Sequence, residues 1–215
     1  MGKIFNTDGY CDPELHYMVD LSGRLQEIKT MVDAGQYFTV NRARQYGKTT
    51  ILTALASFLE KEYEVISLDF QTISYADFET EQNFVAAFSG ELLESKAHFP
   101  EEVKEKLREY ADGQSNRATL SKLFRTLSRF CQKADKKVVL LIDEIDTATN
   151  NQVFIDFLAQ LRAYYLKRRR TPVFQSVILA GVYDVRNVRR KIRPEEEHKE
   201  NSPWNIAADF LVEMN

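Results

Sequence analysis

The chain has 215 residues, 44% of them hydrophobic and 28% charged, which is ordinary for a globular protein and enough for one α/β domain with its own core. The formal net charge of −3 excludes a basic field over the whole chain that would recruit nucleic acid. The two cysteines, Cys11 and Cys131, lie far apart without histidine at ligand spacing, which indicates a reducing compartment and no zinc site. No apolar run suits a membrane span or a signal peptide, so we expect a cytoplasmic protein.

Apolar spacing and turn residues predict an alternation of helices and strands in the first third of the chain. A helix or helix pair is predicted for residues 14–34, and Gly35 is expected to end it. The first strand is predicted at 37–41 and an apolar helix follows it, while the second strand is predicted at 65–70. A long insertion then spans roughly 72–136.

The insertion is predicted to form three helices, the first near 77–95 and the second opening at Pro100 with acids in its first turn. The third carries apolar residues at helical spacing from Leu120 to Phe130, a stripe that indicates packing and not a ligand site. The later predicted elements are a strand at 138–142, a helix at 151–167, a strand at 174–180 and a fifth strand at 208–214. Strands separated by helices indicate βαβ crossovers, an α/β fold and a parallel sheet.

The turn between the first strand and its helix has the composition of a phosphate-binding loop. Gly-Lys-Thr follows a strand and opens a helix there, which is the context that such a loop requires. We expect backbone N–H groups to surround a polyphosphate at the helix N-terminus, where unpaired donors and the helix dipole favour an anion. The residues predicted to contact the nucleotide are Arg44, Gln45, Tyr46, Gly47, Lys48, Thr49 and Thr50.

Three residues of this loop have distinct predicted roles. Gly47 allows the backbone to approach the phosphates, and Lys48, assigned a catalytic role, carries positive charge to the β- and γ-phosphates. Thr49 offers its hydroxyl to Mg²⁺. The first glycine of the usual G-x-x-x-x-G-K-[ST] pattern falls on Arg42, so we expect the phosphate turn to differ in shape from most loops of this kind.

A second motif places two carboxylates after the apolar run 138–142, which suits a strand buried on both faces. A buried carboxylate without a partner is costly, and Mg²⁺ would supply a partner for Asp143. Glu144 is assigned as the catalytic residue that orients or deprotonates a water. Asp146 would join the surroundings of the metal or cap the following helix. The alternative for the whole motif is an ordinary solvated strand end.

The two motifs together predict a site for a nucleoside triphosphate and Mg²⁺. The glutamate next to Asp143 and the absence of an Asn-Lys-x-Asp motif favour ATP over GTP, and hydrolysis over simple kinase transfer.

The chain resembles the AAA-ATPase-like P-loop domain found in many bacterial proteins, which is related to archaeal-type and signal-transduction ATPases. The resemblance rests on the stretches 16–20, 37–50, 140–146, 176–183 and 202–207. It implies a P-loop NTPase fold with five strands in the order 5-1-4-3-2. It also implies Lys48 and Thr49 on the phosphates and Mg²⁺, Asp143 on Mg²⁺, Glu144 as base, and adenine near residues 17–20.

The same resemblance implies that residues 1–215 are one domain at the N-terminus of a longer protein. In that family the domain is often followed by a PD-(D/E)xK nuclease-like domain, so a helical lid and a C-terminal domain are expected to be missing here. Tyr183 and Asp184 are candidates for the γ-phosphate contact after the fourth strand. The candidates for an arginine on the transferred phosphate are Arg44, Arg186, Arg189, Arg190 and Arg193.

Three functions remain open on this evidence. The first is an ATP-binding domain whose Mg²⁺-dependent hydrolysis drives or gates the missing domain, with self-association if a neighbouring chain supplies the arginine. The second is a switch that binds ATP or ADP with negligible turnover. The third is a nucleic-acid-handling module in which the basic run 167–170 and the later arginines contact phosphate backbones. The acidic net charge and the lack of interleaved aromatic residues argue against it as the main activity, and nucleic-acid contact is expected only through the missing domain.

Overall fold

The computed structural model describes residues 15, 20–41, 48–113, 118–148, 151–181 and 208–211. Within them, one parallel sheet has the order β2-β3-β4-β1-β5. The strands are β1 (Tyr37–Asn41), β2 (Glu64–Asp69), β3 (Val138–Asp143), β4 (Ser176–Gly181) and β5 (Ala208–Leu211). The predicted α/β fold and the strand order 5-1-4-3-2 are therefore confirmed.

Helices surround this sheet, and three of them form the predicted insertion between β2 and β3. The α-helices are α1 (Ser22–Asp33), α2 (Lys48–Leu59), α3 (Glu81–Glu94), α4 (Glu101–Ala111), α5 (Leu120–Lys133) and α6 (Gln152–Leu166). Two short 3₁₀ turns, Tyr75–Phe78 and Ile145–Ala148, precede α3 and α6. The predicted start of the first insertion helix at residue 77 is too early, because Thr80 is the N-cap and its hydroxyl accepts the Asn83 N–H at 3.1 Å.

For the helix or helix pair predicted at 14–34, residues 14 and 16–19 lie outside the described part of the chain, and residues 15, 20 and 21 are not helical. Helix α1 starts at Ser22, whose N–H donates to Asp20 Oδ1 at 2.9 Å. Its end follows the prediction, since Gly35 has a left-handed φ of 67° and the Gly35 N–H donates to Val32 O at 2.9 Å. The buried hydroxyl of Tyr165 donates to Gly35 O, which ties α6 to this corner.

Strand β3 lies between two core layers, one on each face of the sheet. Val138, Leu140 and Ile142 belong to the layer formed with α3 to α6, whereas Val139 and Leu141 belong to the layer formed with α1 and α2. All six residues of β3 are buried. The uninterrupted apolar run is explained by this arrangement, because a central strand covered on both faces has no solvent side for polar residues.

The layer around the insertion is dominated by an aromatic cluster centred on Phe70, directly after β2. The Phe70 ring lies within 6.5 Å, centroid to centroid, of the rings of Phe78, Phe84, Phe88, Phe154 and Phe157. Its backbone N–H donates to Asp143 O at 3.1 Å. The cluster therefore joins the insertion and α6 to the carboxyl end of β3.

We expect Phe70→Ala to lower the free energy of unfolding by about 3–5 kcal/mol, because it removes a fully buried ring from the centre of this cluster. Tyr75→Ala is the control, since Tyr75 is 77% exposed and its loss should change stability by less than about 0.5 kcal/mol. Urea denaturation of both variants measures the difference. Equal unfolding free energies would contradict the central role of Phe70.

Candidate functional site

The carboxyl ends of β1, β3 and β4 lie together at one edge of the sheet, because all three strands are parallel. β4 lies between the other two, and Asn41 at the end of β1 is in register with Gly181 at the end of β4. Two strand spacings, about 10 Å, separate the ends of β1 and β3. Ligands of open α/β sheets bind at the carboxyl ends of the strands, so this edge is the candidate site.

The helix that follows β1 begins at this edge. Helix α2 starts at Lys48 and buries Ile51, Leu52 and Leu55 against the sheet, which holds its first turn in place. Thr49 is exposed, whereas Thr50 is buried. The roles of Thr49 on Mg²⁺ and of Thr50 on the phosphates stay predictions.

Much of the predicted phosphate loop lies outside the described residues. This applies to Arg42, Arg44, Gln45, Tyr46 and Gly47, and to the side chain of Lys48. Their nucleotide-binding roles stay predictions.

Asp143 is the last residue of β3 and is only 6% exposed. Alternation along the strand places it on the same face as Val139 and Leu141, the face that α1 and α2 cover. Its Oδ1 accepts the backbone N–H of Glu144 at 2.7 Å, which orients the carboxylate. Asp143 is thus a buried carboxylate on the side of the sheet where α2 begins, and not part of a solvated strand end.

Glu144 leaves the extended conformation of the strand. Its φ of 53° is the left-handed conformation that costs a non-glycine residue about 1 kcal/mol or more. The next residue, Ile145, is fully buried and holds this turn against the core. The direction of the Glu144 side chain is therefore set by the turn and not by simple strand alternation. Strained backbone of this kind is concentrated at functional sites.

Asp146 fills the space beside the end of β4. A Cβ atom built on Gly181 would lie 2.8 Å from Asp146 Oδ2 and 3.0 Å from Oδ1, closer than ordinary packing allows. A side chain at this position would therefore have to displace the Asp146 carboxylate, and Gly181 has no left-handed φ of its own. The predicted alternative, that Asp146 caps the following helix, is wrong because the N-cap of α6 is Asn151.

Asp69 is a carboxylate at this edge to which the sequence analysis gave no role. It ends β2 in register with Asp143, and its Oδ1 accepts the Gln71 N–H at 2.9 Å. Alternation from Val65 places Asp69 on the same face of the sheet as Asp143. The sequence signal for Asp69 was an acid near the end of the second predicted strand. Its relation to the site appears only from the strand order, because β2 pairs with β3 and Asp69 is in register with Asp143.

Several other candidates lie outside the described residues, and their roles stay predictions. They are the adenine segment 17–19, Tyr183, Asp184, Arg186, Arg189, Arg190 and Arg193.

One cation of the 167–170 run has a structural role. The Arg168 guanidinium lies 3.9 Å from the centroid of the Tyr165 ring and donates to Gly35 O at 3.3 Å.

The family model described as "AAA-like domain" matches residues 16–206. The chain belongs to the AAA-like domain family. This AAA-like domain has a structure similar to a Walker-type ATPase of Pyrococcus abyssi, with a TM-score of 0.62 and 15% identity over 96% of this chain and 56% of that chain. It is also similar to the ORC1 protein of Aeropyrum pernix in complex with DNA, with a TM-score of 0.56 and 11% identity over 91% and 45% of the two chains.

A third similar structure is the Aeropyrum pernix ORC2 protein in ADPNP-ADP complexes, with a TM-score of 0.55 and 9% identity over 88% of this chain and 45% of that chain. At such identities the similarity shows the fold alone, and the AAA-like domain spans about half the length of these solved proteins. No curated protein sequence matches it. Among the helices that the structure describes, none is long and apolar enough to cross a membrane.

The contact between Gly181 and Asp146 can be tested by a double-mutant cycle. We expect Gly181→Ala to cost about 1–3 kcal/mol of stability, because the added methyl group forces the Asp146 carboxylate or its turn to move. The same change should cost clearly less in an Asp146→Ala background, as coupled neighbours are not additive. Chemical denaturation of the four proteins gives the coupling free energy.

The control for this cycle is Gly90→Ala in α3, where an added Cβ meets no atom within 4 Å. That substitution should stabilise the protein by about 0.5–1 kcal/mol through helix propensity. A cost for Gly181→Ala that is unchanged by Asp146→Ala would contradict the steric role assigned to Asp146.

Proposed function

We propose that this AAA-like domain binds ATP with Mg²⁺ at the edge where β1, β3 and β4 end, and that it hydrolyses the ATP. The observation that carries the proposal is the buried Asp143 carboxylate, which ends the central strand on the side of the sheet where α2 begins. The first turn of α2 contains the Lys48 and Thr49 of the Gly-Lys-Thr motif. Membership of the AAA-like family supports the same function.

The residues at this edge fit Mg²⁺. An aspartate carboxylate and a threonine hydroxyl are hard oxygen donors, which this ion prefers, and phosphate oxygens and waters would complete its coordination. The Glu144 N–H occupies one side of the Asp143 Oδ1 atom and keeps the carboxylate oriented. Bound there, Mg²⁺ would neutralise charge on the β- and γ-phosphates.

In the proposed reaction, Glu144 accepts a proton from a water whose oxygen forms a bond to the γ-phosphorus. The bond from that phosphorus to the β–γ bridging oxygen breaks, and ADP and inorganic phosphate are the products. Lys48 supplies positive charge to the transferred group. The turn at Glu144 is suited to this role because the buried Ile145 and the Asp143 hydrogen bond restrict its position.

A second candidate function, an ATP- or ADP-dependent switch with negligible turnover, is favoured by the end of β4. Gly181 has no side chain to contact a γ-phosphate, and the group packed against it is the Asp146 carboxylate. A carboxylate would repel a phosphate, whereas a hydroxyl or an amide would donate a hydrogen bond to it. This arrangement is consistent with slow hydrolysis and with a signal that depends on which nucleotide is bound.

The proposal includes an output to a further domain, which rests on the sequence resemblance; the chain spans about half the length of the solved proteins to which it is similar. The sequence resemblance suggests that this output acts on a nuclease-like C-terminal domain, which ATP would gate. Nucleic acid would then be contacted through that domain, and an arginine on the transferred phosphate would come from a neighbouring copy.

Lys48→Ala should abolish detectable ATP binding in the presence of Mg²⁺, because it removes the cation that the Gly-Lys-Thr motif assigns to the β- and γ-phosphates. Lys61→Ala is the matched control, since Lys61 is an exposed lysine just beyond the other end of α2. Calorimetric dissociation constants for the parent and both variants decide the matter. Equal ATP affinity of the parent and Lys48→Ala would refute the phosphate-loop assignment.

Glu144→Gln should keep ATP affinity and lower turnover by about 100-fold or more, because the amide keeps the size of the side chain but cannot accept the proton. Glu79→Gln, at an exposed position at the end of the 3₁₀ turn Tyr75–Phe78, should behave like the parent. Phosphate release at saturating ATP measures the difference. Parental turnover in Glu144→Gln would exclude Glu144 as the base, whereas tight binding without turnover in the parent would favour the switch.

A further inference from the structure

A concave groove of about 310 Å³ separates α4 from α5 in the insertion. The two helices run in opposite directions, since Glu102 at the start of α4 pairs with Lys133 at the end of α5, with 2.6 Å between Nζ and Oε1. Towards the other end of α4, the Tyr110 hydroxyl lies 3.4 Å from the Thr126 hydroxyl. The Glu102–Lys133 ion pair therefore bridges the two helices at one end of the pair.

The walls of this groove are strongly basic. The cations that line it are Lys106, Lys122, Arg125 and Arg129, together with one carboxylate, Glu109. Lys106 pairs with Glu109 at 2.5 Å and lowers the pKa of that carboxyl. Glu109 is therefore charged, and its ion-pair partner is Lys106. In the part of the chain that the structure describes, no carboxylate lies within 4 Å of the other three cations.

These three cations are brought together by α5 itself. Lys122, Arg125 and Arg129 recur at intervals of three and four residues, which places them on one helix face. The opposite face buries Leu123 and Leu127 in the core, so α5 is held with these cations turned away from the core. Like charges at this spacing repel each other, and an anion in the groove would remove that repulsion.

The floor of the groove is polar and rigid. Tyr110 is 6% exposed and Thr126 is 5% exposed, and their hydroxyls are hydrogen-bonded to each other, which leaves one O–H of the pair to donate elsewhere. The guanidinium groups of Arg125 and Arg129 add forked donors that match phosphate oxygens. Forked cations above a floor that carries hydroxyls suit an anion such as phosphate and do not suit an apolar ligand.

We propose that the α4–α5 groove binds a small soluble anion that carries two or more phosphate groups. Seven residues of helix, about 10 Å, separate Lys122 from Arg129, a span that one phosphate does not cover. The groove has the volume of a small-ligand pocket and is bordered by the Glu102–Lys133 ion pair. A long polyanion would continue past the groove onto a chain of net charge −3 and gain little from it.

Calorimetry with inorganic tripolyphosphate tests this site. Every protein carries Lys48→Ala, so that the phosphate loop contributes no binding, and the groove variant adds Arg125→Ala and Arg129→Ala. Lys104→Ala is the control, because Lys104 lies on α4 but does not line the groove. Tripolyphosphate should bind the Lys48→Ala protein and the Lys104→Ala control equally, and the groove variant at least tenfold more weakly.

A second variant with Arg125→Lys and Arg129→Lys should bind more tightly than the alanine variant, because charge is kept and the forked geometry is lost. Equal dissociation constants for the alanine variant and the control would overturn the proposal. Tighter binding of a 20-nucleotide single-stranded DNA than of tripolyphosphate, with the same loss in the alanine variant, would also overturn it and identify a nucleic-acid surface. Circular dichroism checks that each variant is folded. If the double alanine variant is unfolded, Arg125→Gln alone replaces it, and a tripolyphosphate affinity equal to that of the control would again overturn the proposal.

Discussion

The position of Asp143 depends on the burial of β3 on both faces. Helices α1 and α2 cover one face and α3 to α6 cover the other, so the strand cannot shift its register without exposing apolar side chains on both sides. A carboxylate at the end of such a strand is held in low-dielectric surroundings on the face that α1 and α2 cover. The same constraint that stabilises the fold therefore positions the acid on which the proposed metal site depends.

The insertion between β2 and β3 has two separate consequences for the molecule. Its aromatic rings surround Phe70, whose N–H bonds to the Asp143 carbonyl, so packing in the insertion supports the end of the central strand. Its outer helices, α4 and α5, leave a basic groove between them because their apolar faces are turned towards the core. The insertion thus packs against the end of β3 at the proposed nucleotide site, and it also carries the separate proposed anion site between α4 and α5.

The order of strands in the sheet was available only through the resemblance to a known family, whereas element positions followed from apolar periodicity. Boundaries were less accurate where a capping side chain set the start of a helix, as Thr80 does for α3. The left-handed turn at Glu144 had no local signal, since glutamate is not a residue that usually takes that conformation. Asp146 was noticed as an acid near the site, but its contact with Gly181 joins residues from different segments.

The sequence by itself determined the α/β fold, the order of helices and strands, and the candidate acids at the end of β3, because these follow from local periodicity and short motifs. Tertiary structure alone decided which acids share a face and an edge of the sheet. It placed Asp69 in register with Asp143, packed Asp146 against Gly181, and set the cations of α5 beside α4. These are contacts between distant segments, and only the pairing of strands and the packing of helices brings them together.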